Sequence, residues 1–566
     1  MPTFLIPWFV LGGGLVVLAV RWHRQERAAR RRLRAEIEAA WGRPPADAPP
    51  PPAMASIASY FRNTCPDRFA PSTVDDLTWS DLELDDVFRR VNATTTSVGE
   101  EVLYRWMREA ASAPVLALRH ALTTLFQASP EARLRTQLAI VPLGKRRFVD
   151  VTDYLFADLP PSGRFSAVYG WLSAAALVAP LVWIVSPLGG TLLVAATFGT
   201  NAVVYYRARN AVAADLAGLS QVVRVVGCAR RLASCRIAGL EPQTALLESC
   251  GATLRGIEKR SFYLTMQGGG GLLDVAGEYV RIILLRELID YEHLRRDVLL
   301  NCERLLELYE CLGSIDAALA VASFRDSLPW WTTPEIDRSA GPAYVEADDL
   351  FHPLIAEPVP NSRAIRRPLL VTGSNASGKS TFLKAVALNA ILSQSVATAC
   401  ARGYRARITA VRSSMALKDT VLSGESYFTA ELKSVRRLLG GALDGEPCLC
   451  VIDEVLRGTN TMERIAAASA ILAALAARGR LCLAATHDGE LVALLGERFE
   501  NVHFAETVTE AGVSFGYRVA DGPATSRNAI KLLGVLGYPP AIVADAERAV
   551  GRFLAEGRWT PEEYGR

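Results

Sequence analysis

Residues 373–380 read Gly-Ser-Asn-Ala-Ser-Gly-Lys-Ser and are followed by Thr381. This stretch fits the pattern G-x-x-x-x-G-K-[ST], in which glycines allow successive backbone N–H groups to turn toward phosphate oxygens. The preceding run Pro-Leu-Leu-Val-Thr is strand-like, and the following run Phe-Leu-Lys-Ala-Val-Ala is helix-like. This order predicts a phosphate-binding loop between a buried strand and the positive end of a helix.

The loop chemistry predicts ATP and Mg²⁺ as ligands. Lys379 is expected to reach the β- and γ-phosphates, and the Ser380 hydroxyl is expected to contact Mg²⁺. The predicted nucleotide-binding residues are Gly373, Ser374, Asn375, Ala376, Ser377, Gly378, Lys379, Ser380 and Thr381.

Two further apolar runs end in residues suited to phosphoryl chemistry. Cys448–Ile452 is followed by Asp453 and Glu454, and Leu481–Ala485 is followed by Thr486 and His487. A carboxylate beside a phosphate loop anchors Mg²⁺, which is the role predicted for Asp453. Glu454 is predicted to orient or deprotonate the attacking water, and His487 to sense the γ-phosphate. The implied reaction converts ATP and water into ADP and phosphate.

Composition shows where the rest of the chain departs from an ordinary soluble protein. Half of the 566 residues are hydrophobic, mean hydropathy is +0.17, and the formal net charge is only +3. Bulk charge therefore does not indicate a nucleic-acid-binding protein. The 10 cysteines include no CxxC pair. Buried reduced thiols are favoured over a metal site or disulfides.

The first apolar run, Phe4–Val20, predicts a transmembrane span. A cleaved signal peptide is the alternative, but no Lys or Arg precedes the run and no A-x-A-like site follows it. The run ends at Arg21 and continues as a basic, helical stretch to Arg34. Positive charge on this side places it in the cytoplasm, beside anionic lipid head groups or, alternatively, DNA phosphates.

A second apolar block, Phe165–Tyr206, carries no charge between Arg164 and Arg207. Pro187, Gly189 and Gly190 are expected to divide it into two halves, each close to spanning length. Basic residues on both flanks predict a hairpin that enters and leaves from the cytoplasm. The alternative is a buried helical hairpin of a soluble core. These spans predict a multi-pass protein of the cell (inner) membrane with its C-terminal part in the cytoplasm.

The pattern along the chain predicts seven segments. A Pro-rich spacer at 44–53 is expected to be non-helical, whereas β-rich runs alternate with helical ones after about residue 343, as a parallel α/β sheet requires. The segments are a first span (1–20), a basic helix and Pro-rich linker (21–55), a helical core (56–164), a transmembrane hairpin (165–206), a helical lever region (207–330), an ATPase domain (343–550) and a tail (551–566).

The segments TGSNASGKST, VIDEVLRGTN, AATHDGEL and YRVADGPATSRNAIKLLG occur in the order found in the MutS family of DNA mismatch-recognition proteins. The resemblance covers about 349–550 and implies an α/β P-loop NTPase domain, MutS/ABC-like, preceded by an α-helical core and lever domain that the hairpin interrupts. It implies a homodimer with composite sites and DNA as a partner. SGESYFTAEL resembles the family element that contacts nucleotide across the dimer, which assigns Ser426 to that contact. Tyr517 falls where an adenine-stacking ring is expected, although structural packing explains it equally well.

Departures from the family pattern bear on function. Nothing before Ala93 resembles the mismatch-reading domain, and Leu456 stands where the family usually has glycine. The resemblance therefore leaves two hypotheses. The first is a membrane-anchored, MutS-like, DNA-binding homodimer that hydrolyses ATP. The alternative is a membrane-tethered ATPase that drives a protein partner and has no DNA role.

Overall fold

A computed structural model of the chain forms two compact units. The first comprises Met1–Pro66, Val91–Arg105 and Leu118–Ser327, and the second comprises Asp67–Arg90, Trp106–Ala117 and Leu328–Arg566. The structure describes residues 6–46, 49–65, 70–146, 166–211, 213–260, 282–374, 377–415, 427–457, 459–509, 512–524, 529–535 and 537–559.

The described residues up to Asp326 are mostly helical, as predicted for the regions on either side of the apolar hairpin. Its described helices are α1 (Ile6–Ala40), α2 (Pro51–Thr64), α3 (Asp76–Asp81), α4 (Leu84–Val91), α5 (Ser97–Arg108), α6 (Ala113–Ala128), α7 (Pro130–Ile140), α8 (Ser166–Val182), α9 (Pro187–Ala211), α10 (Ala213–Ser234), α11 (Glu241–Thr253), α12 (Arg255–Arg260), α13 (Arg286–Leu300) and α14 (Cys302–Asp326).

A buried carboxylate fastens α14 to the start of α5 in the first unit. Asp316 is fully buried and accepts hydrogen bonds from the Thr96 amide at 2.9 Å and hydroxyl at 2.6 Å. The amide of Thr95 donates to it as well. A Cβ at Gly99 would lie 2.2 Å from the Asp316 Oδ2 atom, so this close approach requires glycine.

Helix α2 corrects the prediction for the Pro-rich spacer. The spacer was expected to be non-helical through Ala53, but α2 begins at Pro51. Proline is tolerated at the first helical positions because their N–H groups have no intrahelical partner. Helix α1 runs without interruption through the basic stretch. The predicted span Phe4–Val20 lies partly outside the described residues.

Helices α8 and α9 form the apolar hairpin, with its bend at 183–186. The sequence placed the division at Pro187, Gly189 and Gly190, but all three lie in the first turn of α9. Gly190 is needed there because a Cβ would lie 2.5 Å from the Trp183 Cα atom. Among the described residues, one helix, Pro187–Asn210, is long and apolar enough to cross a membrane by length and composition, and Ala167–Val182 is a shorter apolar helix.

The second unit contains the predicted α/β sheet. The strands are β1 (Glu335–Ile336), β2 (Tyr344–Leu350), β3 (Asn361–Ile365), β4 (Leu369–Thr372), β5 (Gly403–Arg407), β6 (Ala410–Ser414), β7 (Cys448–Asp453), β8 (Leu481–Thr486), β9 (Glu500–Thr509) and β10 (Gly512–Asp521). The helices are α15 (Lys379–Val396), α16 (Tyr427–Leu438), α17 (Thr461–Ala477), α18 (Glu490–Leu495), α19 (Ala529–Val535) and α20 (Pro540–Glu556).

Six strands form a sheet in the order β10-β9-β4-β8-β7-β6, and four form a second sheet in the order β1-β5-β2-β3. Strand β4 pairs in parallel with β8 and β9, and β7 pairs in parallel with β6 and β8. The parallel strands predicted from the apolar runs are therefore confirmed. These strands read as continuous apolar runs because they are buried.

Residues from the helical half of the sequence complete the second unit. Asp75, just before α3, accepts from Arg412 of β6 at 3.2 Å and from Arg437 of α16. Asp75, Arg412 and Arg437 are called the β6 cluster below. Asp81 accepts from the Ser413 hydroxyl at 2.8 Å and the Met415 amide at 3.0 Å. No pattern in the sequence indicates that this segment packs beside β6.

Candidate nucleotide-binding site

The loop between β4 and α15 has a backbone that only glycine adopts freely at two positions. Gly373 has φ 142° and Gly378 has φ 109°. A Cβ at Gly373 would lie 2.9 Å from the Phe504 carbonyl oxygen and 3.0 Å from the Ser377 hydroxyl. A Cβ at Gly378 would lie 3.2 Å from the Tyr517 ring, so both positions favour glycine in backbone and in space. Such backbone on both sides of residues 375–376, at the amino end of a helix, is what an anion-binding loop requires.

Lys379 is buried at the first position of α15, with 5% of the residue exposed. Its Nζ atom donates to the carbonyl oxygens of Gly373 at 2.9 Å and Ser374 at 2.6 Å. It also lies 3.4 Å from the His487 Nε2 atom. A buried ammonium group held by backbone carbonyls exchanges those partners readily for phosphate oxygens.

Two oxygen ligands of the kind that Mg²⁺ prefers meet beside this lysine. The Ser380 hydroxyl donates to the Asp453 Oδ2 atom at 2.6 Å. Their meeting follows from the sheet, because β4 and β7 flank β8 in parallel and so end at the same edge. Hydroxyl and carboxylate oxygens fit Mg²⁺, which keeps water and phosphate oxygens for its other positions.

Glu454 lies one residue beyond β7, and its carboxylate has two partners. Its Oε1 atom lies 2.9 Å from His487 Nε2, and its Oε2 atom lies 2.5 Å from Arg457 Nε. The hydrogen bond with His487 lowers the pKa of Glu454; burial opposes this, and Arg457 and Lys379 add to it. The Glu454 carboxylate is therefore ionised and able to accept a proton.

The turn after β7 has an unusual backbone. Glu454 has φ 57° and Leu456 has φ 60°. A left-handed conformation costs a non-glycine residue roughly 1–2 kcal/mol. Leu456 is 2% exposed and packs in the core of the second unit, and this packing offsets the strain. The position where the MutS pattern usually has glycine is thus left-handed here but occupied by leucine.

A cavity of about 250 Å³ adjoins the loop on the side of Gly378 and Thr381. His352, Phe504 and Tyr517 also line it. Burial, aided by Lys384, lowers the pKa of His352 to about 4, so its imidazole is neutral at pH 7. The apolar walls and the polar loop together suit a flat, uncharged ring joined to phosphates.

The backbone around Tyr517 is held by a residue that sequence reasoning missed. Tyr517 has φ 52° and interrupts the pairing of β9 with β10. The Asn361 side chain donates to the Tyr517 carbonyl at 3.0 Å and accepts from the Val519 amide at 2.7 Å. These bonds fix an exposed aromatic ring at the cavity. No local pattern marks Asn361, because its partners lie more than 150 residues away in sequence.

The structure brings most of the sequence-predicted site residues to one edge of the sheet. Gly373, Ser374, Ser377, Gly378 and Lys379 form the loop and helix start, while Ser380, Asp453, Glu454 and His487 are linked by the contacts given above. Thr381 lines the cavity. Asn375, Ala376 and Ser426 lie outside the described residues. Arg457 was not predicted as a site residue, because its contact with Glu454 depends on the left-handed turn between them.

Comparison with known proteins gives matches over this part of the chain. Residues 369–553 match the family model for MutS domain V. The DNA mismatch repair protein MutS of Thermus aquaticus is 34% identical over 212 residues, which is 37% of this chain and 26% of that protein. The same-named protein of Thermus thermophilus is 33% identical over 207 residues, or 36% of this chain and 25% of that protein.

A match from Natronomonas pharaonis, also named DNA mismatch repair protein MutS, extends further. It is 30% identical over 277 residues, which is 46% of this chain and 32% of that protein. The chain thus spans about a quarter to a third of the length of these relatives.

Proposed function

We propose that this chain, which belongs to the MutS family through its C-terminal α/β part, is a membrane-anchored ATPase with a P-loop NTPase fold. It hydrolyses ATP with Mg²⁺ and couples the cycle to its helical region. The observation that carries the proposal is the convergence of Lys379, Ser380, Asp453 and Glu454 at one sheet edge.

The residues present fit both ligands. Gly373 and Gly378 supply the positive-φ backbone of the loop at the α15 amino end, where a triphosphate would lie. Lys379 would neutralise its β- and γ-oxygens. Ser380 and Asp453 would hold Mg²⁺, which supplies charge neutralisation between the β- and γ-phosphates when bound.

Glu454 supplies the proton acceptor for hydrolysis. Water attacks the γ-phosphorus as its proton passes to a Glu454 oxygen, and the bond between γ-phosphorus and the β–γ bridging oxygen breaks. The products are ADP and phosphate. His487 contacts both Lys379 and Glu454, so it can report the position of the γ-phosphate to the base.

Replacement of the base tests this mechanism. We expect Glu454→Gln to retain Mg·ATP binding in equilibrium titrations while its single-turnover hydrolysis falls at least 100-fold. Glu446→Gln is the matched control, because Glu446 precedes β7 at its other end. A Glu454→Gln protein that hydrolyses at the wild-type rate would remove Glu454 from this role.

We further propose a homodimer in which Ser426 of one subunit contacts the γ-phosphate bound by the other. The support is the resemblance of the 423–432 stretch to the MutS element with that role. Mixed dimers check it: subunits with Ser426→Ala, combined with Lys379→Ala subunits, place both lesions in one of the two sites and leave the other intact. Each mixed dimer is expected to keep half of the ATPase activity of a wild-type dimer. Complete loss would argue that the contact is made within one subunit.

The anchoring part of the proposal rests on the hairpin of α8 and α9. Its side chains include several that are mostly exposed, such as Trp171 at 78%, Ile184 at 80% and Val185 at 87%. An apolar surface of this size requires a partner, and lipid accepts it without further specificity. Basic residues on both flanks support an orientation with both ends of the hairpin in the cytoplasm and its bend outside.

Labelling of introduced cysteines tests the topology. In intact cells, a membrane-impermeant maleimide should label Ser186→Cys at the bend and leave Ser220→Cys of α10 unlabelled. Both variants should stay in the membrane pellet after carbonate extraction. Extraction of the wild-type chain by carbonate would contradict membrane insertion.

DNA is the partner we propose for the cycle, since the named relatives are DNA mismatch repair proteins. Full-length protein in detergent should bind duplex or branched DNA with an affinity that falls steeply as salt rises, and its ATPase rate should change on binding. A functional ATPase that neither binds nor responds to DNA at low salt would instead favour the alternative, a membrane-tethered ATPase that drives a protein partner.

A further inference from the structure

The partners of Glu454 leave one contact that hydrolysis does not use. Arg457 donates from Nε to the Oε2 atom at 2.5 Å, while His487 takes the Oε1 atom. The carboxylate that must accept a proton from water therefore has a strong partner on each of its two oxygens. Each oxygen keeps a second lone pair that can accept from water, but both oxygens are held by their partners, so loss of one partner before hydrolysis leaves an oxygen free to turn toward the water.

His487 is 33% exposed but also contacts Lys379, so Arg457 is the partner that we expect to move. Its side chain is 37% exposed, and that of Glu454 is 24% exposed. An ion pair open to solvent on one side can separate without disturbing the core. The Arg457 backbone, in contrast, is anchored because its amide donates to the Oε1 atom of Glu431, which is 6% exposed. The side chain can leave while the turn stays in place.

The contacts link this ion pair to the phosphate loop. Lys379 donates to two loop carbonyls and contacts His487, His487 contacts Glu454, and Glu454 contacts Arg457. Phosphate groups in the loop would draw Lys379 away from those carbonyls and from His487, and would add negative charge at the end of this chain of contacts. Both changes weaken the hold on Glu454.

We propose that Arg457 is a positioning residue that holds Glu454 in a resting arrangement and releases it when nucleotide phosphates bind in the loop. This proposal rests on the ATPase activity proposed above. Glu454 and Leu456 are both in the left-handed region. The turn that they form brings the side chains of Glu454 and Arg457, three positions apart in sequence, into contact. ATP binding thereby frees the base to accept a proton, and the base stays occupied while the phosphates are absent.

Steady-state ATPase assays of the full chain in detergent test the proposal. Arg457→Ala should raise kcat about 3- to 10-fold, because the fraction of bound enzyme with a released base increases. KM for Mg·ATP should change less than about twofold. Arg457→Lys keeps a cation in reach and should restore kcat toward the wild-type value. Arg478→Ala is the matched control, since it removes an arginine ion pair with Asp444 from the same unit.

A double variant separates release of the base from a general loosening of the site. Glu454→Gln combined with Arg457→Ala should be as slow as Glu454→Gln alone, because the gain acts through the carboxylate. The proposal is overturned if Arg457→Ala lowers kcat, leaves it unchanged, or speeds the Glu454→Gln protein. If Arg457→Ala melts at lower temperature, Arg457→Gln gives the same comparison. A wild-type chain without ATPase activity would overturn the proposed function itself.

Discussion

The β6 cluster and the turn after β7 both pair arginine with a carboxylate in the same unit, but they differ in burial and in backbone strain. Arg412 is 7% exposed and also donates to the Thr73 carbonyl at 2.9 Å, whereas Arg457 is 37% exposed. Asp75 caps α3 through the Thr78 amide, so the β6 cluster is fastened by several bonds. The Glu454 turn has left-handed residues instead.

We therefore interpret the β6 cluster as a structural contact and the ion pair of Glu454 with Arg457 as part of the proposed catalytic site. Arg412 is buried and held by additional hydrogen bonds, so opening its pair with Asp75, which is 29% exposed, would leave a charge in the core. A partly exposed pair on a strained turn separates at lower cost, and on our proposal it responds to a ligand. On this interpretation, the same residue types stabilise the fold at β6 and take part in chemistry at the sheet edge that carries Lys379, Asp453 and Glu454. This edge is called the nucleotide edge below. Four measurements test this division, from the largest expected effect to the smallest.

The largest effect is expected from Asp75→Ala. It leaves Arg412 buried without its carboxylate and removes the α3 cap, and we expect the free energy of unfolding to fall by about 3 kcal/mol. Urea unfolding measures this. Asp75→Asn retains a capping oxygen and should lose less. Asp86→Ala is the control, because Asp86 is 56% exposed and pairs with Arg89, which is 26% exposed, and its loss should cost less than about 1 kcal/mol.

The division requires that Asp75→Ala leave nucleotide affinity unchanged in the folded protein. A variant that binds Mg·ATP tenfold more weakly while remaining folded would show that the β6 cluster also shapes the site. The comparison between the two regions would then fail.

Lys379→Ala should weaken nucleotide binding and leave stability unchanged, which is the reverse of the effect of Asp75→Ala. It removes the ammonium group from the loop, and we expect the Kd for Mg·ATP to rise at least 100-fold, about 2.7 kcal/mol. The melting temperature of the nucleotide-free protein should stay close to that of wild type. Lys384→Ala is the matched control on the same helix, where the lysine pairs with Glu83 at 3.1 Å. Retained affinity in Lys379→Ala would contradict the assigned site.

The contrast also explains how much the sequence could predict. The nucleotide edge depends on residue identities at fixed local spacing, such as Gly373, Gly378 and Lys379, and on strands whose apolar runs end at Asp453 and Thr486. Parallel pairing then brings those ends together without further information. For residues with these local signals, the sequence therefore predicted both their role and the residues that lie beside them in the site.

The β6 cluster carries no such signal. Asp75 and Arg437 are separated by 362 positions, and nothing near Asp75 distinguishes its segment from the surrounding helical residues. The same holds for Asn361, whose partners lie in β10. Arg457 was missed for another reason, since its contact depends on left-handed backbone at Glu454 and Leu456, which side-chain patterns do not predict. Contacts between residues far apart in sequence, and contacts that depend on strained backbone, could thus not be predicted from sequence patterns.

The pH dependence of stability distinguishes the β6 cluster from the cavity beside the nucleotide loop. His352 beside the cavity has its pKa lowered to about 4 by burial, so the unfolded chain binds its proton first as pH falls below 6.5. Stability from this group is complete above pH 6.5 and is lost between 6.5 and about 4, by roughly 2 kcal/mol at pH 5. His352→Asn keeps an acceptor for the Leu354 amide and should remove this loss.

Asp75 acts in a lower window. Burial raises its pKa, but Arg437, the Thr78 amide and Arg412 outweigh burial, and the pKa lies below the usual 3.8. Its contribution is therefore present above that value and is lost only in stronger acid. Urea midpoints at pH 7, 5 and 3.5 should show the His352→Asn difference already at pH 5. Equal wild-type and variant curves between pH 7 and 5 would contradict a neutral, buried His352.

The smallest effect concerns Tyr517, whose ring is 44% exposed at the cavity. Stacking on a nucleotide base contributes about 1 kcal/mol for a ring that keeps one face in solvent, so Tyr517→Ala should weaken ATP binding about fivefold. Tyr517→Phe should bind as wild type, since the face of the ring and not its hydroxyl makes the contact. Tyr538→Ala is the control, at a ring 49% exposed outside the cavity. GTP affinity should fall with ATP affinity, because stacking does not depend on base identity. Unchanged affinity in Tyr517→Ala, with a lowered melting temperature, would instead assign the ring to packing and would move Tyr517 and Asn361 to the structural side of the comparison.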